Sequence, residues 1–186
     1  MERAKDIASI YKLYVNDLFT YAYYLGFDKE TVMDAIHDIF CKLATEEKLL
    51  NEVENIKFYL FRALKNKLFD IYNTKKPYIG LSAVEANDKI PFDIDVSIED
   101  KLIDTENQLL IKKQIEEMLN SLTERQREII YLRYIQEYSY EEIAKLLNIT
   151  VHGCRKLVSK ALQSLREKYG ALVILLLLAQ TINVKY

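Results

Sequence analysis

Residues that break helices or staple chains are scarce in this sequence. Among 186 residues there are four glycines, two prolines, two cysteines and no tryptophan. All-β folds need turn residues every few positions, so the shortage of Gly and Pro points to long helices joined by few turns. Cys41 and Cys154 show no CxxC spacing, which excludes a disulfide framework and a Cys-rich zinc module. The two histidines, His37 and His152, leave little for His-based metal or acid–base chemistry. The longest apolar run, residues 171–179, falls well short of the roughly 20 residues a membrane-spanning helix needs, so no span is expected. The first residues are charged and lack an apolar stretch, so no secretory signal is expected either. Half the residues are apolar and 29% are charged, enough for a buried core. The expectation is an all-α cytoplasmic protein.

The formal net charge of −2 hides an asymmetry. Residues 1–76 carry 12 basic and 12 acidic side chains, and residues 77–108 carry 2 basic and 8 acidic. Residues 109–170 carry 11 basic and 8 acidic. An acidic middle therefore masks a basic C-terminal half, and near-neutrality does not argue against nucleic-acid binding. Both prolines, Pro77 and Pro91, fall in the acidic middle, which reads as a linker over residues 77–105. Ile90, Phe92, Ile94, Val96 and Ile98 alternate along it. That pattern fits either a short extended segment docked on a partner or a mobile linker with a few apolar side chains.

In the N-terminal half, Ile7, Ile10, Tyr11, Tyr14, Leu18, Tyr21 and Leu25 mark one amphipathic helix ending near Gly26. Asp28 is placed to cap a second, with Val32, Ala35, Ile36, Ile39, Phe40 and Leu43 inward. A third runs from about Ile56 to Tyr72, with Phe58, Phe61, Leu64, Leu68 and Ile71 inward. Three such stripes can bury one another in a small bundle over residues 1–76. Asp34, His37, Asp38, Cys41 and Lys42 share the outer face of the second helix. Arg62, Lys65, Asn66, Phe69 and Asn73 form a strip along the third. Cations beside an aromatic ring are what single-stranded DNA binding requires. Composition alone fits a solvated helix face with Phe69 partly buried even better.

In the C-terminal half, residues 106–170, a helix from about Glu106 to Leu119 turns Leu109, Ile111, Ile115, Met118, Leu119 and Leu122 toward a core. Thr123 through Gln126 reads as a capping box that opens a helix running to about Ile135. Ser139 through Glu142 is a second box. The short helix it opens carries Ile143, Ala144, Leu146 and Leu147, and Asn148 suits a left-handed turn. Ile149 is expected to plug the core, and Thr150 to cap a last, basic helix. This is helix, tight turn, helix. A DNA-reading helix-turn-helix sets the N-terminal part of its second helix in the major groove; here that part holds Thr150, His152, Gly153, Arg155, Lys156, Ser159 and Lys160. Val151, Cys154, Leu157, Val158, Ala161 and Leu165 supply its packing positions.

Several stretches resemble one family. TVMDAIHDIFCKL (31–43) resembles the region 2.2 helix of bacterial RNA polymerase sigma factors of the two-domain, extracytoplasmic-function group, roughly AEDLVQEVFLRL. LFRALKNKLFD (60–70) resembles the next signature, LYRIARNLALD. LTERQREI (122–129) and SYEEIAKLLNIT (139–150) look like region 4, usually LPxRQREV and SYxEIAxxLGIS. Asn148 stands for the usual Gly, His152 and Gly153 for a common Gly-Thr pair, and Leu157 where Arg is frequent. The resemblance implies a non-enzymatic, cofactor-free subunit that binds core RNA polymerase through Asp34, His37, Asp38, Cys41 and Lys42. It implies capture of an unpaired −10 strand by residues 45–55 with Arg62, Lys65, Asn66, Phe69 and Asn73, and readout of −35 duplex DNA by the helix from Thr150 to Lys160. An anti-sigma factor would be a further partner. The tail, residues 171–186, lies outside these motifs.

Two rival readings come from other classes. His37 and Cys41 at i, i+4, with His152 and Cys154 on another helix, could form a zinc site. No Gly-rich phosphate loop, nucleophile elbow or paired-carboxylate site accompanies them. The other rival is a helix-turn-helix regulator that acts without core polymerase, which leaves the region 2 resemblance unexplained.

Overall fold

The computed structural model describes residues 6–46, 53–75, 91–93 and 117–170. Most of the expected linker, most of the helix expected from Glu106, part of the 45–55 segment and the tail 171–186 lie outside them. Among the described residues every regular element is helical. The chain divides into two compact units, with the boundary between Pro91 and Phe92, inside the expected linker.

The N-terminal unit is built from α1 (Ile7–Tyr24), α2 (Lys29–Thr45) and α3 (Ile56–Lys75). Each helix starts where the sequence supplies a side-chain acceptor for the otherwise orphaned first N–H groups. The Asp6 carboxylate accepts from the N–H groups of Ala8 and Ser9, both at 3.2 Å. Asp28 accepts from Thr31 N–H at 2.9 Å, and Asn55 Oδ1 from Phe58 N–H at 3.0 Å. After α1 the chain turns at Gly26, whose φ of 79° suits a residue without Cβ. The expected inward face of α2 is buried in full. On α3 Leu60, Phe61, Leu64 and Leu68 are fully buried, whereas Phe58 and Ile71 are only half-buried. Aromatic pairs tie the bundle: Tyr21 meets Phe61 at 5.3 Å and Tyr11 meets Phe40 edge-on at 4.9 Å between centroids.

The C-terminal unit holds a helical turn over residues 117–120, α4 (Glu124–Ile130), a π-helical stretch (Tyr131–Ile135), α5 (Tyr140–Leu147) and α6 (Val151–Tyr169). Both expected capping boxes form. Gln126 N–H donates to Thr123 Oγ1 at 3.4 Å and Thr123 N–H to Gln126 Oε1 at 3.1 Å. Glu142 N–H donates to Ser139 Oγ at 3.2 Å and Ser139 N–H to Glu142 Oε2 at 2.8 Å. The helix after Thr123 does not stay α-helical to Ile135. Its last turn widens, and Gln136 N–H reaches back to Tyr131 C=O at 3.0 Å, the i→i+5 bond of a π-turn. Asn148 adopts the left-handed conformation, φ 53° and ψ 47°, and its N–H donates to Ala144 C=O. Ile149, expected in the core, is only half-buried; Leu146 and Leu147 before it take the inward positions. The core is closed by Met118, Leu119, Leu122, Ile129, Leu132, Ile143, Leu147, Cys154, Val158, Ala161 and Leu165. At the far end of α6 the Tyr169 hydroxyl donates to Glu117 C=O at 3.1 Å.

Candidate nucleic-acid and polymerase interfaces

Burial of one face of α2 fixes what the other presents. Asp34, His37, Asp38, Cys41 and Lys42 are all exposed, sharing the outer surface as expected. His37 Nε2 and Cys41 Sγ lie 3.4 Å apart, one helical turn from each other. Asp38 pairs with Lys67 of α3 at 2.8 Å. The hydrogen bond from that ammonium, with its charge, holds the Asp38 carboxyl below the usual carboxylate range.

The strip on α3 needs one correction. Arg62, Asn66 and Asn73 are exposed and Phe69 is half-buried, but Lys65 is only 3% exposed. Position 65 follows Leu64 and precedes Leu68 by three, which turns its Cα–Cβ bond toward the bundle. The accessible strip is therefore Arg62, Asn66 and Asn73, with Lys65 beneath it.

The structure also joins two sets of residues that the sequence left apart. A groove of about 510 Å³ runs between α2 and α3, bordered by Asp38, Lys42, Arg62, Asn66, Lys67 and Asp70. Both expected contact sets of this unit thus border one cleft. Three cations, two carboxylates and an amide give it hydrogen-bond donors and acceptors on both walls, a mixture suited to polar atoms of a base or peptide.

In the C-terminal unit the Thr150 hydroxyl accepts from Gly153 N–H at 3.0 Å and starts α6. Gly153 packs close to that cap: a Cβ there would lie 3.2 Å from Thr150 Oγ1. Thr150, His152, Arg155, Lys156, Ser159 and Lys160 are exposed and Gly153 is half-buried. The opposite side, Cys154, Val158, Ala161 and Leu165, is buried, with Val151 and Leu157 at its margins. One face of α6 thus offers cations, hydroxyls and an imidazole with no acidic residue of its own helix among them.

Sequence reasoning missed the residues that hold Arg155. Its guanidinium lies 5.5 Å from the Tyr140 ring centre, and Arg133 approaches the same ring at 4.9 Å. Glu141 approaches Arg155 at 3.7 Å. Tyr140 opens α5, so the first helix of the motif supplies a platform for a cation of the second. An aromatic at the first position of α5, half-buried and close to cations in the chain, was the available signal. Arg125 does similar work beneath, donating to Leu147 C=O at 2.9 Å at the end of α5.

The zinc reading gains nothing. Among the described residues no three His, Cys, Asp or Glu side chains converge as a metal site would require. Cys154 is fully buried, and burial pushes its thiol up to about 11, whereas a zinc ligand must be a thiolate. Among the described residues no helix is long and apolar enough to cross a membrane.

Comparison with known proteins agrees with this geometry. Residues 112–165 match the family model for sigma-70, region 4, the segment that holds both capping boxes and most of α6. The ECF RNA polymerase sigma factor SigM of Bacillus subtilis is 22% identical over 164 residues, 88% of this chain and 95% of that protein. The RNA polymerase sigma factor YlaC of the same organism is 22% identical over 177 residues, 90% of this chain and 98% of that protein. Among solved structures, the sigma factor RpoE in complex with the anti-sigma factor NepR from Bartonella quintana superposes with a TM-score of 0.57 at 23% identity. That match covers 88% of this chain and 96% of the other. Residues 112–165 thus match sigma-70 region 4, and over most of its length the chain is similar to RNA polymerase sigma factors, one of them of the extracytoplasmic-function group.

Proposed function

We propose that this chain is a sigma subunit that binds core RNA polymerase, recognises −10 and −35 promoter elements and directs the start of DNA-templated transcription. The observation that carries the reading is the exposed basic face of α6, set on a helix-turn-helix whose caps and left-handed turn all form. It lies in a segment matched to sigma-70 region 4. A helix so mounted suits the major groove, where Arg155, Lys156 and Lys160 would meet phosphates or base edges. His152, Ser159 and Thr150 would add polar contacts.

In the N-terminal unit the α2–α3 groove supports a divided role. Asp34, His37, Asp38, Cys41 and Lys42 would face the polymerase, and Arg62, Asn66 and Asn73 the unpaired −10 strand, with Phe69 as a partly buried support. Lys65 enters this reading only as a packed neighbour of the strip. In chain order the working parts would be residues 1–76, a linker over 77–105 and residues 106–170. The protein would act by binding and positioning rather than by catalysis, in the cytoplasm with the polymerase. A partner of the anti-sigma class follows from the complex in which the RpoE relative was solved. The alternative of a regulator working without polymerase accounts for the helix-turn-helix but not for likeness to sigma factors over most of the chain.

Transcription with purified core enzyme and this chain, with start sites mapped on genomic DNA, tests the reading. The expected result is initiation at a defined set of sites that core alone does not use. Failure to associate with core, or association without any new start, refutes it.

A further inference from the structure

Phe92 belongs to the acidic, proline-containing stretch that reads as a linker, yet it is 1% exposed. Its ring lies 5.6 Å from the Tyr131 ring, tilted by 52°. Tyr131 is itself fixed, because its hydroxyl accepts from the buried Gln136 amide at 2.8 Å. The next residue, Asp93, forms an ion pair with the Arg127 guanidinium. Arg127 also donates to Asn120 Oδ1 at 3.2 Å. The Asp93 side chain is 77% exposed and that of Arg127 only 12%, so the carboxylate sits at the rim of a seat whose floor is aromatic. Two adjacent side chains thus engage the unit together, the first buried and the second paired.

We propose that Phe92 and Asp93 are an internal ligand of the C-terminal unit, a clip in which Tyr131 receives the ring and Arg127 the carboxylate. The clip holds Phe92 and Asp93 of the acidic stretch on that unit. The clip also pairs Arg127, a cation of the basic half, with a carboxylate of the acidic stretch. The π-turn is part of the seat, since Tyr131 is its first residue.

The sigma-factor reading bears on what the clip is for, but the clip's existence is tested without polymerase or DNA. Chymotrypsin cuts after Phe92 only when the ring leaves its seat, so the cleavage rate of the full chain reports clip opening. Asp93→Lys replaces the ion pair with repulsion at a solvent-exposed position and should leave both units folded. Cleavage after Phe92 is expected to accelerate roughly fivefold to tenfold, the range for losing a surface ion pair and gaining a like charge. Combining Asp93→Lys with Arg127→Glu is expected to restore protection. As a second measure, Phe92→Ala should speed amide exchange in peptides covering 124–135 while leaving 29–45 unchanged. Equal cleavage in the wild-type and Asp93→Lys chains overturns the clip. So does unchanged exchange over 124–135 in Phe92→Ala.

Discussion

Asn148 offers the most direct test of how the helix-turn-helix is built. Its φ of 53° and ψ of 47° put it in the left-handed region, where an L-residue ordinarily costs roughly 1–2 kcal/mol. Asn tolerates the region, Gly adopts it without a Cβ penalty, and a β-branched residue is a true outlier there. Asn148→Gly should therefore change little, because relief in the fold is offset by greater freedom in the unfolded chain. Asn148→Val should lose about 1–2 kcal/mol, since the Asn148 N–H must still reach Ala144 C=O to end α5. A loss of that size speeds opening about 5- to 30-fold. Hydrogen exchange of the full chain, read by mass spectrometry, should show that acceleration in peptides spanning 140–169. The N-terminal peptide 29–45 serves as an internal control. If Val and Gly gave equal protection, the turn would not be left-handed and the angle between α5 and α6 would have another cause.

Three further outcomes follow from the same geometry. The Cys154 thiol is raised to about 11 from an ordinary 9.0 by burial, so folding favours the protonated form. That contribution is whole below pH 9 and is lost as pH climbs from 9 toward 11, by about 3 kcal/mol at 1.36 kcal/mol per unit. Urea denaturation should show wild-type stability falling more steeply than Cys154→Val over that window, and parallel curves would refute the assignment. Tyr140→Leu removes the platform under Arg155 and Arg133, a contact worth about 0.5–1 kcal/mol per cation at an exposed site. Duplex affinity at a −35 element should fall roughly twofold to fivefold with the melting of the unit little changed; undiminished affinity would show that Arg155 needs no support. Asn66→Ala should weaken open-complex formation, read by permanganate footprinting, more than duplex binding read by gel shift, and equal losses would count against a role at the −10 strand.

The caps explain why so much of the fold was legible. Ser139 and Glu142, Thr123 and Gln126, and Thr150 and Gly153 each interact within three residues, so the chain states the contact in its own order. The inward face of α2 was legible for a similar reason, since a 3.6-residue period needs no knowledge of the partner surface. The π-turn at Tyr131–Ile135 was not, because its apolar residues fit an α-helical stripe equally well. Lys65 escaped for a different reason. Residue type suggested an exposed cation, but its position between Leu64 and Leu68 belongs to the buried arc, and helix geometry prevailed over composition. Arg155 was legible as an exposed cation near the start of α6, whereas its Tyr140 platform depends on how closely α5 and α6 approach, which no local pattern encodes.

The linker shows how these two kinds of information combine. Alternation from Ile90 to Ile98 left open whether the stretch docks or drifts, because a period of two says which side chains share a side and not what lies beneath them. Among the described residues the question is answered at one point: Phe92 is buried against this chain's own C-terminal unit. The floor of that seat is Tyr131, the residue at which the helix widens. Across that turn Gln136 N–H donates to Tyr131 C=O and the Gln136 amide to the Tyr131 hydroxyl. The irregular backbone and the buried linker aromatic thus meet at one residue. The Phe92→Ala chain should accordingly disturb exchange at the π-turn before it disturbs α5 or α6, and the reverse order would separate the two features.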